Sequence, residues 1–458
     1  MSRARTERDD LGEVRIPAGA LYGVHSVRAR DNFDLAYKRT DPRLIRAIVK
    51  VKKAAALAHL KTGAGREDVH RAIAAACDLA LAGEADDMFI VDALQGGAGT
   101  STNMNVNEVL ANLALRLSGR ACGDYGAIHP LDDVNRGQST NDVYPTALRL
   151  AAIESLRELS DACAGLQRSF QARENEFAAV AKLGRTELMD AVPVTLGGEF
   201  GAYAQALARD RWRLYKMEER LRQVNLGGGA AGLADPAGRE YRFRVVEELR
   251  ELTGIGLAAA EYPMDITQNN DVFVEASGLL KALAVNLLKI ANDLRLMNSG
   301  PRGGLGEIRL PPLQAGSSAM PGKVNPVIPE LVIQVAIKVM ANDQALAIAA
   351  SRGEFELNAL APLIADALLE SLSLLTRAVG LFRTKCVESL VPDRERCAAL
   401  LEASLAFAAA YVPRLGYDRV ARIISECGGE AAKAREALEG ALARGGDGVN
   451  RAASPGFS

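Results

Sequence analysis

Apolar residues recur at steps of three and four along five long segments, and this spacing limits the fold more than any other feature of the chain. The third segment is typical: its stripe runs from Leu279 to Met297, and no proline interrupts residues 271–297. Such spacing puts one apolar stripe on each helix, and long striped helices pack nearly parallel. The sequence therefore predicts an all-α fold with a central bundle of five long helices. The stripes lie at residues 156–170, 207–224, 279–297, 328–339 and 368–382.

Composition excludes several classes of protein. A formal net charge of -2, with 55 basic and 57 acidic residues, offers no electrostatic attraction for nucleic acid or an anionic membrane. Six scattered cysteines without a CxxC pair favour reduced thiols, and four isolated histidines give little support for a metal site. The first residues lack the apolar run of a secretory signal, and no uninterrupted apolar run has the roughly 18 residues of a membrane span. We expect a cytoplasmic protein.

Three polar, glycine-rich stretches interrupt the helical pattern and suggest how the chain is divided. They cover residues 95–107, 129–142 and 300–326. We predict a mainly helical N-terminal domain at residues 1–140, the central bundle at 141–395 and a small helical C-terminal domain at 396–458. The last residues, from Gly445 onward, resemble a frayed end. Helices with apolar faces beyond one bundle also favour a homo-oligomer.

The stretch GSSAMPGKVNP, residues 316–326, carries the most chemical information. It combines adjacent hydroxyls at Ser317 and Ser318 with Lys323 and Asn325 at the start of a predicted helix. A helix N-terminus beside a cation is suited to binding a carboxylate. From the residues alone, a surface turn with an ordinary helix cap explains the stretch equally well.

Three further stretches offer neutral hydrogen-bond donors. Residues 96–108 include Thr100 beside a glycine cluster that lacks the spacing of a dinucleotide fingerprint. Each stretch alone is compatible with a turn or a helix cap, but four such loops together indicate a site for a small, multiply anionic molecule. The donors in the other two stretches are Ser139, Thr140, Asn141 and Thr186, and the carboxylate of Glu187 follows Thr186.

These stretches resemble the aspartase and class II fumarase family along nearly the whole chain. GSSAMPGKVNP matches the family pattern GSSxMPxKxNP at every specified position. The companion motifs GGAGTSTNMNVNEVLAN, GQSTNDVYPTA, GRTELMDAVPVTLGGEF and NDLRLMNSGPRGGLGEIRLP occur in the family's order. The resemblance implies three domains, a central five-helix bundle and a homotetramer in which three subunits build each active site.

The resemblance also implies residue roles for the elimination of ammonia from aspartate, without a metal or an organic cofactor. Ser317 would be the general base that takes the proton from the substrate's Cβ, and Lys323 and Asn325 would hold the α-carboxylate. Asn141 and Thr186 would contact the amino group. The residues implied to hold the β-carboxylate are Thr100, Ser139, Thr140 and Ser318.

The chain departs from the family pattern at three places. Glu187 stands where fumarases and some aspartases have histidine, and a carboxylate there favours a substrate ammonium over a neutral hydroxyl. A salt bridge of Glu187 elsewhere is the opposing interpretation. Leu131 replaces a usual asparagine, which removes a secondary anion contact. Gly229, Leu233 and Ala234 alter a further loop.

Three activities and one non-catalytic role remain open on the sequence. Ammonia elimination from L-aspartate to give fumarate is the leading hypothesis. Hydration of fumarate, as in class II fumarases, is its nearest rival, and the altered loop leaves room for an ammonia-lyase acting on a substituted aspartate. A non-catalytic assembly protein that keeps the fold is the alternative from another class; the intact Ser317, Lys323 and Asn325 argue against it.

Overall fold

A computed structural model describes residues 4–233 and 238–445 of the chain. These residues are mostly helical, which confirms the predicted helical character of the fold. The helices are α1 Val24–Asn32, α2 Pro42–Thr62, α3 Glu67–Leu81, α4 Thr100–Leu117, α5 Thr140–Glu176, α6 Leu196–Leu221, α7 Arg239–Thr253, α8 Pro263–Gln268, α9 Asp271–Met297, α10 Val327–Ala350, α11 Ala361–Phe382, α12 Arg394–Ala403, α13 Val412–Leu415, α14 Tyr417–Glu426 and α15 Ala431–Gly445.

Short strands, which the sequence analysis did not predict, form two-stranded sheets. Three of the sheets are antiparallel (β1 with β2, β3 with β4, β7 with β8), and β5 pairs with β6 in parallel. The strands are β1 Ala4–Asp9, β2 Gly12–Pro17, β3 Ala181–Thr186, β4 Met189–Thr195, β5 Gln223–Val224, β6 Ala258–Ala259, β7 Ile308–Arg309 and β8 Val391–Pro392.

The chain forms two compact units, each assembled from three stretches. Unit 1 contains Met1–Ala162, Asp210–Val285 and Gln334–Arg377, and unit 2 contains Cys163–Arg209, Asn286–Ile333 and Ala378–Ser458. The predicted domain boundaries near residues 140 and 395 stay a prediction. Most of the predicted frayed end, residues 446–458, and Ala234 of the altered loop lie outside the described residues.

The five predicted stripes lie on α5, α6, α9, α10 and α11, the longest described helices, except that Val224, the last residue of the second stripe, lies on β5. Helix α5 has 37 residues and is therefore about 55 Å long at 1.5 Å per residue. Every residue of its apolar stripe is buried. Packing of this one face against other apolar side chains stabilises the helix. The buried members are Leu156, Leu159, Cys163, Leu166 and Phe170.

In unit 1, charged and amide side chains connect pairs of these helices. On α5, Arg157 donates to both carboxylate oxygens of Glu218 on α6 at 2.9 and 2.7 Å. Lys281 on α9 lies 2.5 Å from Asp343 on α10. Next to Asp343, Asn342 donates to Glu370 on α11 at 2.8 Å. These contacts give each helix a defined neighbour.

In unit 2, aromatic rings make the corresponding contacts. The ring centroid of Phe170 on α5 lies 6.1 Å from Phe200 and 5.7 Å from Tyr203 on α6, and 6.4 Å from Phe382 on α11. The Tyr203 hydroxyl donates to Asp293 on α9 at 2.9 Å. The contact with Phe382 is edge-to-face and the other two are tilted, and such ring contacts add to the free energy gained from burial.

Helix α10 is unusually apolar. By length and composition alone it is suited to crossing a membrane, as is the bent pair Arg394–Ala403 and Ala406–Leu415 taken together, although a soluble protein's core helix passes the same test. In the most apolar 18-residue segment of this helix only 33% is buried, and Ile337 and Ile348 are more than half exposed. The helix therefore carries an apolar face that the described residues leave uncovered.

A buried ring stack in unit 1 predicts a loss of stability in acid. His59 stacks between His70 and Tyr241 at centroid distances of 4.9 and 4.5 Å. Burial lowers the pKa of His59 to about 4 and also lowers the pKa of His70. Between pH 6.5 and 4 the unfolded chain therefore binds protons that the folded chain excludes, so stability present above pH 6.5 is lost as the pH falls.

We expect this effect to lower the free energy of unfolding by about 2 kcal/mol through His59 between pH 7 and pH 5. Chemical denaturation at pH 7 and pH 5 measures it. His59→Phe keeps a flat ring in the stack and should lose clearly less stability over this range. An equal loss in the variant and the native chain would show that the acid sensitivity arises elsewhere.

Candidate active site

The loop of residues 316–325, in unit 2, is closed at its base by backbone contacts. The Gly316 N–H donates to the Lys323 carbonyl at 3.0 Å, and the Asn325 side-chain amide donates to the Gly316 carbonyl at 2.8 Å. A Cβ on Gly316 would lie 2.2 Å from the Lys323 carbonyl oxygen, so only glycine permits this approach. Helix α10 begins at Val327, and the Asn325 side chain closes the loop rather than capping that helix.

The hydroxyl of Ser317 accepts two backbone hydrogen bonds inside this loop. The N–H groups of Ala319 and Met320 donate to its Oγ at 3.1 and 2.9 Å. Serine oxygen is a weak base at its ordinary pKa, and donors aimed at it stabilise the negative charge it would carry when deprotonated. The local turn thus places two donors on the oxygen of Ser317.

Lys323 and Asn325 line a cavity of about 580 Å³ beside this loop, whereas Ser317 and Ser318 do not. Lys323 is exposed and forms no ion pair with the described residues. Arg295 and Glu330 share the cavity, and Arg295 Nε lies 4.0 Å from Glu330. An uncompensated ammonium beside an amide is suited to binding an anion.

Thr186 and Glu187 lie where strands β3 and β4 turn. Glu187 and Leu188, the two residues between the strands, have φ values of 55° and 64°. Two successive positive φ values are typical of the tight hairpin turn that Asn-Gly usually supplies, so two ordinary residues there are strained. The Glu187 carboxylate makes no hydrogen bond or ion pair with the described residues. The salt bridge that was the alternative interpretation of Glu187 does not occur among residues 4–233 and 238–445.

Buried charges hold this hairpin to the rest of unit 2. Lys182, on β3, lies 2.9 Å from both oxygens of Glu199 and 2.8 Å from Glu307, and Arg185 donates to Glu307 at 2.7 Å. Glu307 is fully buried. Burial raises the pKa of Glu199, and Lys182 opposes that shift. Breaking such a network leaves a buried charge unpaired, so the strained tip has a rigid base.

In unit 1, Thr100 lies at the exposed start of α4. Its predecessor Gly99 has a φ of 92°, and a Cβ there would lie 2.4 Å from the Tyr144 ring. Thr100 lines a cavity of about 420 Å³ together with His25 and Arg28 of α1. The sequence analysis did not single out these two side chains. Arg28 contacts Asp9 through two hydrogen bonds of 2.7 Å.

Ser139, Thr140 and Asn141 gather at the start of α5. The Asn141 N–H donates to the Ser139 hydroxyl at 3.2 Å, and the Asn141 amide donates to the Ala230 carbonyl at 2.8 Å. Asn103 on α4 donates to the Thr140 hydroxyl at 3.2 Å. Each of the three candidate side chains is thus held by a hydrogen bond to its surroundings.

Asp142 connects this group to the altered loop. Its carboxylate accepts the N–H groups of Ser139 at 3.0 Å, Gly227 at 3.1 Å and Gly229 at 2.9 Å. Burial raises its pKa to about 7. Gly229 contributes only its backbone N–H to Asp142. The presence of glycine where the family has threonine therefore leaves this hydrogen bond in place. Leu131, the other departure, is exposed and offers no side-chain donor.

The candidate residues thus fall into two groups, one in each unit. Within a group, residues that are close in the sequence lie in the same loop, turn or helix start. The group in unit 1 comprises Thr100, Ser139, Thr140 and Asn141, and the group in unit 2 comprises Thr186, Glu187, Ser317, Ser318, Lys323 and Asn325.

Comparison with known proteins decides the family. A family profile described as lyase matches residues 12–341. Aspartate ammonia-lyase from Pseudomonas aeruginosa is 46% identical over 426 residues, which is 92% of this chain and 90% of that protein. Aspartate ammonia-lyase from a Bacillus species is 44% identical over 422 residues, again 92% of this chain and 90% of that protein. This chain belongs to the aspartase and class II fumarase family of lyases.

Solved structures share the fold of this lyase. A Brucella melitensis protein described as fumarate lyase:delta crystallin, bound to cobalt, superposes with a TM-score of 0.92 at 46% identity, covering 97% of this chain and 98% of that chain. Class II fumarase from Schistosoma mansoni superposes with a TM-score of 0.91 at 31% identity, covering 96% of each chain. The lyase is therefore an enzyme, and its relatives include proteins named aspartate ammonia-lyase and class II fumarase.

Proposed function

We propose that this lyase eliminates ammonia from L-aspartate to give fumarate, reversibly, with Ser317 as the general base. The observation that carries the proposal is the Ser317 hydroxyl, which accepts two backbone N–H groups within a loop of the family's most specific motif. The relatives named aspartate ammonia-lyase, at 44 to 46% identity over more than 90% of the chain, support the substrate.

The reaction begins when the Ser317 oxyanion takes a proton from the substrate's Cβ. The electron pair of the broken C–H bond moves into the adjacent β-carboxylate, which becomes a dianionic aci-carboxylate. Its collapse forms the Cα–Cβ double bond and breaks the Cα–N bond, so that the substrate ammonium leaves as neutral ammonia. The barrier depends on donors aimed at the oxygens where charge develops.

The other candidate residues bind the three charged groups of aspartate. Lys323 and Asn325 hold the α-carboxylate, to which Lys323 brings an unpaired charge. The side-chain amide of Asn141 donates to the Ala230 carbonyl, so its side-chain oxygen is available to accept a hydrogen bond from the substrate ammonium. The Thr186 hydroxyl accepts a second hydrogen bond from the same ammonium. The donors to the β-carboxylate are Thr100, Ser139, Thr140 and Ser318.

We further propose a cytoplasmic homotetramer of three-domain subunits, in which three subunits complete each site. Two uncovered apolar surfaces support this assembly. One is the exposed face of α10, and the other is the hairpin tip, where Leu188 and Met189 are about 70% exposed. Contiguous exposed apolar side chains of this size are typical of subunit interfaces.

Glu187 gives a test of the leaving group. A carboxylate attracts the substrate ammonium and gains little from the neutral hydroxyl of malate, so the native enzyme should form fumarate from aspartate and not from malate. Glu187→Gln should lower kcat/KM for aspartate about tenfold, the usual worth of one partly exposed charged hydrogen bond. Absorbance of the fumarate formed measures both substrates.

Glu402→Gln removes an exposed carboxylate from α12 and is the matched control, which should leave kcat/KM unchanged. Preferential turnover of malate by the native enzyme would identify a fumarate hydratase instead. Faster turnover of an N-substituted aspartate than of aspartate would assign the substituted substrate that the altered loop leaves open.

A further inference from the structure

A buried lysine lies at one end of a hydrogen-bond chain that reaches the Thr140 hydroxyl. Lys52 on α2 is completely buried and forms no ion pair with the described residues; its Nζ donates to Asn135 Oδ1 at 2.7 Å. Asn135 Oδ1 also accepts from the side-chain amides of Asn103 at 3.1 Å and Asn107 at 3.2 Å. The same Asn103 amide donates to Thr140 Oγ1 at 3.2 Å. All these side chains belong to unit 1.

While Lys52 is protonated, its ammonium group determines the direction of every hydrogen bond in this series, because it can donate but cannot accept. It requires Asn135 to present its oxygen, and the Asn135 amide accordingly turns to the Gln138 carbonyl at 3.1 Å. Asn103 must then present its NH₂ group to that oxygen. The second hydrogen of this group goes to Thr140, whose oxygen accepts it and whose own hydrogen is left for another partner.

A hydroxyl arranged in this way is a ready donor to an anion. Without the chain, the Thr140 hydroxyl would rotate and would accept or donate according to its surroundings. Donors that are oriented before the reaction stabilise developing charge without the cost of reorganisation. The arrangement therefore matches the role proposed for Thr140 at the β-carboxylate.

Fold stability alone explains Lys52 poorly. Burial lowers its pKa to about 7, while the attraction of Asp142 opposes that shift. A buried ammonium with amide partners alone loses more hydration than it regains in contacts, and apolar side chains of similar volume commonly replace such groups without loss of stability.

We propose that Lys52 is a positioning residue that sets the direction of the hydrogen bonds through Asn135 and Asn103, so that the Thr140 hydroxyl donates to the substrate carboxylate. This inference rests on the proposed role of Thr140. In this account Lys52, Asn135 and Asn103 form one series of hydrogen bonds that orients the Thr140 hydroxyl, although none of the three touches the substrate.

A double-mutant cycle on the full-length enzyme tests the proposal. Lys52→Met keeps the length and volume of the side chain and removes the donor, and Thr140→Val removes the hydroxyl. Each single variant should lower kcat/KM for aspartate about 10- to 100-fold, the range for one hydrogen bond to a charged group. In the Thr140→Val background, Lys52→Met should lower it by less than about threefold further, because both changes remove the same interaction.

A second pair of variants guards against misfolding of Lys52→Met. Asn103→Ala breaks the chain next to Thr140, and Asn105→Ala is the matched control, since Asn105 is equally buried on α4 but contacts Met88 and Ile90. Thermal unfolding should show similar losses of stability for both. Only Asn103→Ala should lower kcat/KM, and its effect should vanish in the Thr140→Val background.

The outcomes separate this inference from the proposed function. Suppose that Thr140→Val lowers kcat/KM as expected, but that Lys52→Met or Asn103→Ala lowers it by the same factor with and without Thr140→Val. That result would overturn the positioning role alone. Unchanged kcat/KM in Thr140→Val would overturn the proposed role of Thr140 and this inference with it. Equal kinetic losses in Asn103→Ala and Asn105→Ala would show a merely structural effect and would also overturn it.

Discussion

Ser317→Ala should lower kcat for aspartate by about 10³-fold or more. The side chain is the proposed base, and removal of a positioned base costs typically 10² to 10⁴ in rate. It also accepts the N–H groups of Ala319 and Met320, which support the deprotonated oxygen. Steady-state formation of fumarate measures the effect, and deuterium exchange at the substrate's Cβ shows whether proton removal is the step that is lost.

Because the Ser317 hydroxyl also holds the turn of the loop, binding must be measured beside the rate. Succinate, a dicarboxylate that lacks the amine, should raise the unfolding temperature of Ser317→Ala about as much as that of the native enzyme. A rate near normal would show that another group is the base. Loss of succinate binding together with the rate would show that the serine acts through the shape of the loop.

Gly316→Ala should lower kcat/KM for aspartate about 100-fold or more while leaving the fold intact. The new Cβ would lie 2.2 Å from the Lys323 carbonyl oxygen, 2.8 Å from Val324 Cα and 2.9 Å from the Asn325 nitrogen. The base of the loop must therefore open, which displaces both proposed ligands of the α-carboxylate. Misplacement of a positioning group by about 1 Å commonly costs 10²-fold.

Gly303→Ala is the matched control, because its Cβ meets no atom within 4 Å and its backbone is not left-handed. It should leave both kcat/KM and the unfolding temperature unchanged. If Gly316→Ala behaved like this control, the backbone contact between Gly316 and Lys323 would have no part in forming the site.

The long helices could be predicted because their cause is local. The stripe of α9, for example, appears as apolar residues at fixed steps, and burial of Leu283, Leu287 and Leu294 follows from that spacing alone. The loop of residues 316–325 could likewise be found from its composition. Its closure could not, since the contact between Gly316 and Lys323 depends on the conformation of the whole loop.

The missed features depend on distant parts of the chain. The hairpin of β3 and β4 turns at Glu187 and Leu188, which have none of the usual preference for positive φ, and a network around Glu307, far along the sequence, holds its base. Lys52 stands in a helical segment as an ordinary basic residue, and only the fold brings it to Asn135.

The parallel release of fumarate and ammonia from L-aspartate by the purified enzyme is the most direct measurement of the proposed elimination. We expect the two products in equal amounts, at a rate on the order of 1 to 10³ per second, and no fumarate from malate. Fumarate formed from malate but not from aspartate, or neither product released from aspartate, would contradict the proposal.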